Sequence, residues 1–151
     1  MPTKAPTPST GSVILLPMGA VSVVVLGRPA PQGSKGPGMV EDNPRTRPWR
    51  ATIKAVCQQH LPAGWKPLDG PLELELWFFF APAANVKRGD YPTTRTYYDA
   101  DKLYRAMGDG LTDGGVVVDD ARFVSSHVHK RFVWPDEGEP RAVAMVSPCR
   151  G

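Results

Sequence analysis

Six aspartates lie between Tyr97 and Asp120 of a chain whose formal net charge is +3. They are Asp99, Asp101, Asp109, Asp113, Asp119 and Asp120. Carboxylates are hard oxygen ligands, and each Mg²⁺ in a protein usually takes one or two of them, with waters completing its octahedron. Two such ions about 4 Å apart activate an attacking water and stabilise the leaving oxygen of a phosphodiester. The stretch therefore indicates a divalent-cation site suited to phosphodiester hydrolysis.

Each aspartate taken alone also fits a structural role. Asp99 suits the N-cap of a helix, Asp113 a turn and Asp109 a solvated helix position. Asp119 and Asp120 fit a turn that starts a strand. The set as a whole, and not any single member, favours the metal site.

The apolar spacing after Asp99 predicts a helix from Ala100 to about Leu111, stopped by the letters TDGG. Leu103 and Met107 share its packed face. The other side carries Asp101, Lys102, Arg105 and Asp109. If the following apolar run GVVV returns along this helix, it brings the pair Asp119/Asp120 beside the helix start.

Five further segments complete the predicted fold. Val21–Leu26 reads as a first strand, and a helix follows from Pro48 with apolar residues at helical spacing. The letters PLELELWFFF alternate strictly and predict the clearest strand. ARFVSSHVHKRFVW and RAVAMV predict two last strands, joined by PDEGEP as an antiparallel hairpin. The order β-α-β-α-β-β predicts an α+β fold, a mixed sheet flanked by two helices.

The chain has 151 residues, enough for one ordinary domain, which we place at residues 21–151. Residues 1–20 are predicted to lie outside it, with Met1–Thr10 disordered and Met18 an alternative start. The apolar letters SVILLPMGAVSVVVLG are too short to span a bilayer, so no membrane association is expected. Cys57 and Cys149 lack zinc or redox spacing, which favours free thiols in the reducing cytoplasm.

The letters DADKLYRAMGDGLTDGGVVVDD resemble the RusA family of Holliday-junction resolvases. That family's pattern runs Asp-x-Asp-Asn-Leu-x-Lys, then a helix with Asp and a following Leu, a Gly turn and Asp-Asp. The matching positions are Asp99, Asp101, Leu103, Asp109, Leu111, Gly115, Asp119 and Asp120. LGRPAPQGSKG is similar to the family's Gly-x-Pro-x-Pro-x-Gly loop, so the resemblance extends over Val21 to Val146.

The resemblance implies a homodimeric, Mg²⁺-dependent endonuclease that cuts four-way DNA junctions symmetrically, with Mn²⁺ as a possible substitute. It implies that Asp99, Asp101 and Asp120 are catalytic metal ligands, with Asp119 beside them as a further metal-binding candidate. Two positions depart from the family pattern: Lys102 stands for the Asn, and Arg105 for the functional Lys. Arginine keeps the charge but is effectively never deprotonated, so we hypothesise that Arg105 stabilises charge.

Two other functions are compatible with the sequence. The first is a branched-DNA-binding protein of the same fold that cuts weakly because of Arg105. The second is a dimeric interaction domain with a structural acidic patch. The two histidines His127 and His129 alternate onto one strand face, but without a third ligand we assign them to polar contacts.

Contacts to branched DNA are expected from basic residues in loops and at element ends. The best candidates lie in the long loop before the acidic stretch: Lys87, Arg88 and Arg95. Lys35, Lys102 and Lys130 complete the predicted set.

Overall fold

The computed structural model describes residues 10–32 and 44–150. Its strands and helices are β1 (Gly11–Leu15), β2 (Val21–Leu26), α1 (Thr46–His60), β3 (Leu72–Phe80), α2 (Ala100–Asp113), β4 (Phe123–Phe132) and β5 (Arg141–Pro148). Short 3-10 turns lie at Pro17–Gly19, Arg95–Tyr97 and Asp120–Arg122. The five strands form one sheet in the order β1-β2-β5-β3-β4, in which the pair β3 and β4 is parallel and the other neighbours are antiparallel. The predicted α+β class, with a mixed sheet and two helices, is confirmed.

Strand β3 organises the core, as its alternating sequence predicts. Its inward residues are all buried: Leu72, Leu74, Leu76, Phe78 and Phe80. Glu73 and Glu75 on the opposite face are exposed. A strand with one fully apolar face suits an interior position in a sheet, and β3 has β5 and β4 as paired neighbours on its two sides.

The two helices join the same buried cluster as the inward face of β3. Helix α1 buries Ile53 and Val56, and helix α2 buries Leu103, Met107 and Leu111. The helices approach closely at a glycine of α2. A Cβ added at Gly110 would lie 2.6 Å from Cγ2 of Ile53, so only glycine permits this contact. The close packing fixes α2, and with it the charged face of that helix.

The predicted β4–β5 hairpin is wrong, because β3 lies between these two strands. Strand β4 pairs in parallel with β3. The connection from β4 to β5 therefore crosses two strand spacings, about 10 Å. Strand β4 is exposed from Val124 to His127, a polar and open pattern that suits the edge of a sheet.

One strand is also missing from the predicted order. β1 pairs antiparallel with β2, from Gly11 opposite Val25 to Leu15 opposite Val21. Pro17 and Gly19, which interrupt the apolar run, form the turn that folds it back on itself. The segment predicted to lie outside the domain thus contributes an edge strand. Disorder is predicted for Met1–Thr10; residues 1–9 lie outside the described residues, and the carbonyl of Thr10 accepts a hydrogen bond from the Leu26 N–H at 2.7 Å.

Both cysteines are free, in agreement with the sequence. Cys57 is buried in the core, and burial raises the pKa of its thiol to about 12. Among the described residues, no helix combines the length and the apolar composition needed to cross a membrane.

Candidate metal and nucleic-acid site

Two of the predicted ligands lie at the N-terminus of α2. Asp99 occupies the N-cap position in an extended conformation, and its carbonyl accepts a hydrogen bond from the Leu103 N–H at 3.1 Å. Its exposed carboxylate caps none of the described N–H groups of the helix and instead lies 3.9 Å from Nζ of Lys102. Asp101 is exposed in the first turn. Both carboxylates are thus directed to solvent beside the partial positive charge of a helix start.

The third predicted ligand, Asp120, packs against α2 at Gly108. A Cβ added at Gly108 would lie 3.3 Å from Cβ of Asp120 and 3.4 Å from its Oδ2. At 3.6 residues per turn, Asp101, Arg105 and Gly108 follow one another along one face of the helix. Asp120 therefore approaches the helix face that carries Asp101 and Arg105.

The neighbouring aspartates differ in their electrostatics. Burial raises the pKa of the Asp120 carboxyl, and a hydrogen bond with Asp119 and the charges of Asp109 and Asp119 raise it further. In contrast, the N–H of Ala121 donates to Asp119 Oδ1 at 2.9 Å and lowers the pKa of Asp119. Asp119 thus caps the Asp120–Arg122 turn, whereas Asp120 is the half-buried carboxyl among like charges.

Arg50 engages the remaining acidic residues of α2. Its guanidinium lies 3.1 Å from Oδ2 of Asp113 and 3.9 Å from Oδ2 of Asp109. These two carboxylates already have a cationic neighbour supplied by α1. The charge of Asp109 nevertheless still acts on Asp120.

The predicted DNA-binding residues are dispersed. Lys87 and Arg95 are exposed in the long connection between β3 and α2, while Lys35 lies outside the described residues. Arg88 is also exposed but forms ion pairs with Asp136 at 2.7 Å and Glu137 at 3.8 Å.

Lys130, like Lys102, lies next to the acidic residues, but it bonds the backbone. Its Nζ donates to the carbonyl of Tyr98 at 2.5 Å. Burial lowers the pKa of its ammonium, and the nearby charge of Asp99 opposes this change. Lys130 therefore bonds the backbone one residue before a predicted ligand.

The histidines of β4 contact residues of β3 and not the aspartates at α2. His129 stacks on Trp77, with ring centroids 3.9 Å apart, and lies 3.4 Å from Oε1 of Glu75. These contacts agree with the polar role predicted for it. His127 is exposed near Glu73 and Glu75.

No group of three or more His, Cys, Asp or Glu side chains in the described part of the chain is arranged to hold a metal ion. The donor set nevertheless fits Mg²⁺, which needs only one or two protein carboxylates and takes its other ligands from water or phosphate. The crowding of Asp109 and Asp119 around the half-buried Asp120 would be relieved by a bound cation. The metal roles of Asp99, Asp101, Asp119 and Asp120 stay predictions.

Two residues of this site were not among the predicted ones. Gly108 makes room for Asp120, and its signal in the sequence is a glycine inside a helix, where it costs about 1 kcal/mol relative to alanine. Tyr98 has no such signal, because the conformation of a single backbone position is not visible in side-chain spacing.

Comparison with known proteins identifies a family for this chain. A family model described as Endodeoxyribonuclease RusA matches residues 21–146. The match runs from the start of β2 into β5 and includes every acidic residue described above. No curated protein matches the chain.

Proposed function

Because the chain belongs to the RusA family of endodeoxyribonucleases, which resolve Holliday junctions, we propose that it cuts four-way DNA junctions at the acidic face of α2 with Mg²⁺ as cofactor. By acidic face we mean Asp99, Asp101 and Asp120. The observation that carries the proposal is the packing of Asp120 against Gly108, on the helix face that also carries Asp101 and Arg105. The contact of Asp120 with the helix that carries Asp101 supports a shared cation site.

In this proposal Asp99, Asp101 and Asp120 hold the cation, Asp119 supports Asp120, and Mn²⁺ is able to substitute for Mg²⁺. When bound, such an ion polarises the scissile phosphate and lowers the pKa of water. The raised pKa of Asp120 means that its proton is retained to higher pH than in an ordinary aspartate, so cation and proton compete for this carboxylate.

Arg105 has a different proposed role. It is exposed, and among residues 10–32 and 44–150 no carboxylate forms an ion pair with it. Its planar guanidinium is therefore available to bind two phosphate oxygens and to stabilise negative charge that develops there. It does not release a proton near neutral pH.

Binding of the branched substrate is proposed to use the exposed cations Lys87 and Arg95, with Arg88, Lys35 and Lys102 as further phosphate contacts. Such contacts position the backbone without reading sequence. We also propose a homodimer, because symmetric resolution requires two equivalent strands to be cut and one chain carries one acidic face.

The test is cleavage of a synthetic four-way junction by the purified protein, with a duplex of the same sequence as control. We expect paired, symmetric nicks in Mg²⁺ and none in EDTA or in the duplex. Sedimentation of the protein alone gives its oligomeric state. Tight junction binding without nicks in either Mg²⁺ or Mn²⁺ would contradict the enzyme and support a branched-DNA-binding protein.

Gly108→Ala is expected to weaken Mg²⁺-dependent cleavage about tenfold at limiting metal, because the new Cβ displaces a ligand. At 3.3 Å from Cβ of Asp120, it forces that carboxyl to move by a few tenths of an ångström. The melting temperature is expected to stay or rise, since alanine is favoured over glycine in a helix by about 1 kcal/mol. Cleavage rates against Mg²⁺ concentration and thermal unfolding measure the two effects.

Gly110→Ala is the matched control, because it makes the same change two residues along the same helix. Its Cβ would clash with Ile53 in the core, at 2.6 Å, so it should lower the melting temperature. If the cleavage rate of Gly108→Ala depends on Mg²⁺ concentration as that of the wild type does, the position of Asp120 against Gly108 does not matter for binding the cation.

A further inference from the structure

Tyr98 has an unusual backbone conformation directly before the acidic face. Its φ of 67° and ψ of 167° lie in a region that residues with side chains rarely adopt. Among the described non-glycine residues, Met18 is the other one with a positive φ. Such a conformation persists only where surrounding contacts impose it, and it often marks a functional site.

Three basic side chains hold Tyr98. Lys130 donates from Nζ to its carbonyl oxygen at 2.5 Å, and Arg45 donates from Nη1 to its hydroxyl at 2.9 Å. The guanidinium of Arg28 lies 5.5 Å from the ring centroid and also donates to the Thr96 carbonyl at 2.8 Å. Burial raises the pKa of the Tyr98 hydroxyl, but the two arginines outweigh it and the pKa falls below its usual range.

The contact from Lys130 has a direct geometric consequence for Asp99. The carbonyl of Tyr98 belongs to the peptide that enters Asp99, and Lys130 holds it. The carbonyl of Asp99 belongs to the peptide that leaves it, and the Leu103 N–H holds that one at 3.1 Å. One flanking peptide is thus bound by α2 itself and the other by Lys130 of β4, so the direction of the Asp99 Cα–Cβ bond is restricted on both sides.

Lys130 is poorly placed to act as a simple phosphate contact. It is half-buried in β4, and one of its donors is already used inside the protein. Burial lowers the pKa of its ammonium, and the charge of Asp99 acts in the opposite direction. Residues that hydrogen-bond to a metal ligand without touching the metal orient that ligand. An ammonium that bonds the backbone carbonyl beside a ligand can act in the same way.

We propose that Lys130 is a positioning residue that orients Asp99 for cation binding by holding the peptide between Tyr98 and Asp99. This inference rests on the proposed function, since it requires the acidic face to bind a divalent cation. It replaces the phosphate-contact role predicted for Lys130 from the sequence. Lys130 itself touches neither the cation nor the DNA.

The test is Lys130→Met, which keeps an unbranched apolar stem and removes the ammonium. Mn²⁺ binding to the DNA-free protein is measured by isothermal titration calorimetry, and junction binding is measured in EDTA by fluorescence anisotropy. We expect Mn²⁺ affinity to fall about 10- to 100-fold, as for other outer partners of ligands. Junction affinity in EDTA should stay within about twofold of wild type, because no phosphate contact is lost.

Two variants make the result specific. Lys130→Arg keeps a charged donor and should bind Mn²⁺ more tightly than Lys130→Met. Lys66→Ala, which removes an exposed lysine beside the groove next to Leu15 and Gly19, should leave Mn²⁺ affinity unchanged. If Lys130→Met does not unfold cooperatively by circular dichroism, Lys130→Gln, which keeps a neutral donor, is measured in the same two assays and decides the question.

The proposal is overturned if Lys130→Met binds Mn²⁺ like the wild type. It is also overturned if the variant loses junction affinity in EDTA with a salt slope smaller by about 1, which is the signature of a lost phosphate contact. Wild-type protein that binds no Mn²⁺ would overturn the proposed cation site together with this inference. If the wild type binds Mn²⁺ and Lys130→Met binds it equally well, only the inference about Lys130 is overturned.

Discussion

Asp101→Asn is expected to lower the single-turnover rate of junction cleavage in Mg²⁺ by about 10³-fold or more. The change removes one charged oxygen ligand, and a bound metal is worth several kcal/mol of transition-state stabilisation, where each 1.36 kcal/mol is about tenfold. Because Asp101 is exposed and supports no core contact, the fold should be unaffected. Rates are measured with protein in excess over a labelled junction.

Junction binding in EDTA separates this loss from a loss of DNA affinity. Asp101→Asn should bind the junction as well as or slightly more tightly than the wild type, since one negative charge near the phosphates is gone. Asp113→Asn is the matched control on the same helix, where Arg50 already neutralises the carboxylate at 3.1 Å. It should cut within about twofold of wild type, as for ordinary surface changes. An Asp101→Asn enzyme that keeps a tenth or more of the activity would remove Asp101 from the ligand set.

Arg105→Ala is expected to lower the same rate by about 10²- to 10³-fold, the usual cost of losing one preorganised donor at developing charge. Arg105→Lys should retain the rate within a few-fold, because an ammonium also supplies positive charge at this exposed position. Rates at saturating junction measure the effect without a contribution from binding. Lys54→Ala, which removes a cation from the exposed side of α1, is the control and should not change the rate.

The pair of Arg105 variants also distinguishes two chemical roles. A large gain in rate for Arg105→Lys would indicate that the natural role is proton donation to the leaving oxygen, which arginine performs poorly. Lys102→Ala belongs in the same series, since Lys102 lies 3.9 Å from Asp99 and is the other cation in the first turns of α2. If both Arg105 variants cut like the wild type, the acidic face operates without this guanidinium.

Much of the local structure follows from residue spacing. The alternation of β3 and the helical spacing of Leu103, Met107 and Leu111 predict which side chains are buried, because side-chain direction repeats every 2 residues in a strand and every 3.6 in a helix. The same spacing separates Asp101 and Arg105 from the core. The two free thiols also follow from the separation of the cysteines.

Strand partners were not predictable in the same way. The letters between β4 and β5 look like a hairpin connection, yet β3 separates these strands. Register and order depend on which strand buries the most apolar surface, and this competition involves residues far apart in the chain. β1 was missed for a related reason: Pro17 and Gly19 read as a break in one run, whereas they form the turn of two paired strands.

The sequence by itself determined which residues could form the site. It shows the acidic residues with their spacing, the helix that carries Asp101 and Arg105, and the family pattern around them. The tertiary structure alone decided how Asp120 reaches that helix through the space at Gly108, and how Lys130 bonds the carbonyl before Asp99. The physical reason is that secondary structure follows from short-range periodicity and backbone preference. A site made by β4, α2 and the turn between them depends instead on close packing of segments that only the folded core brings together.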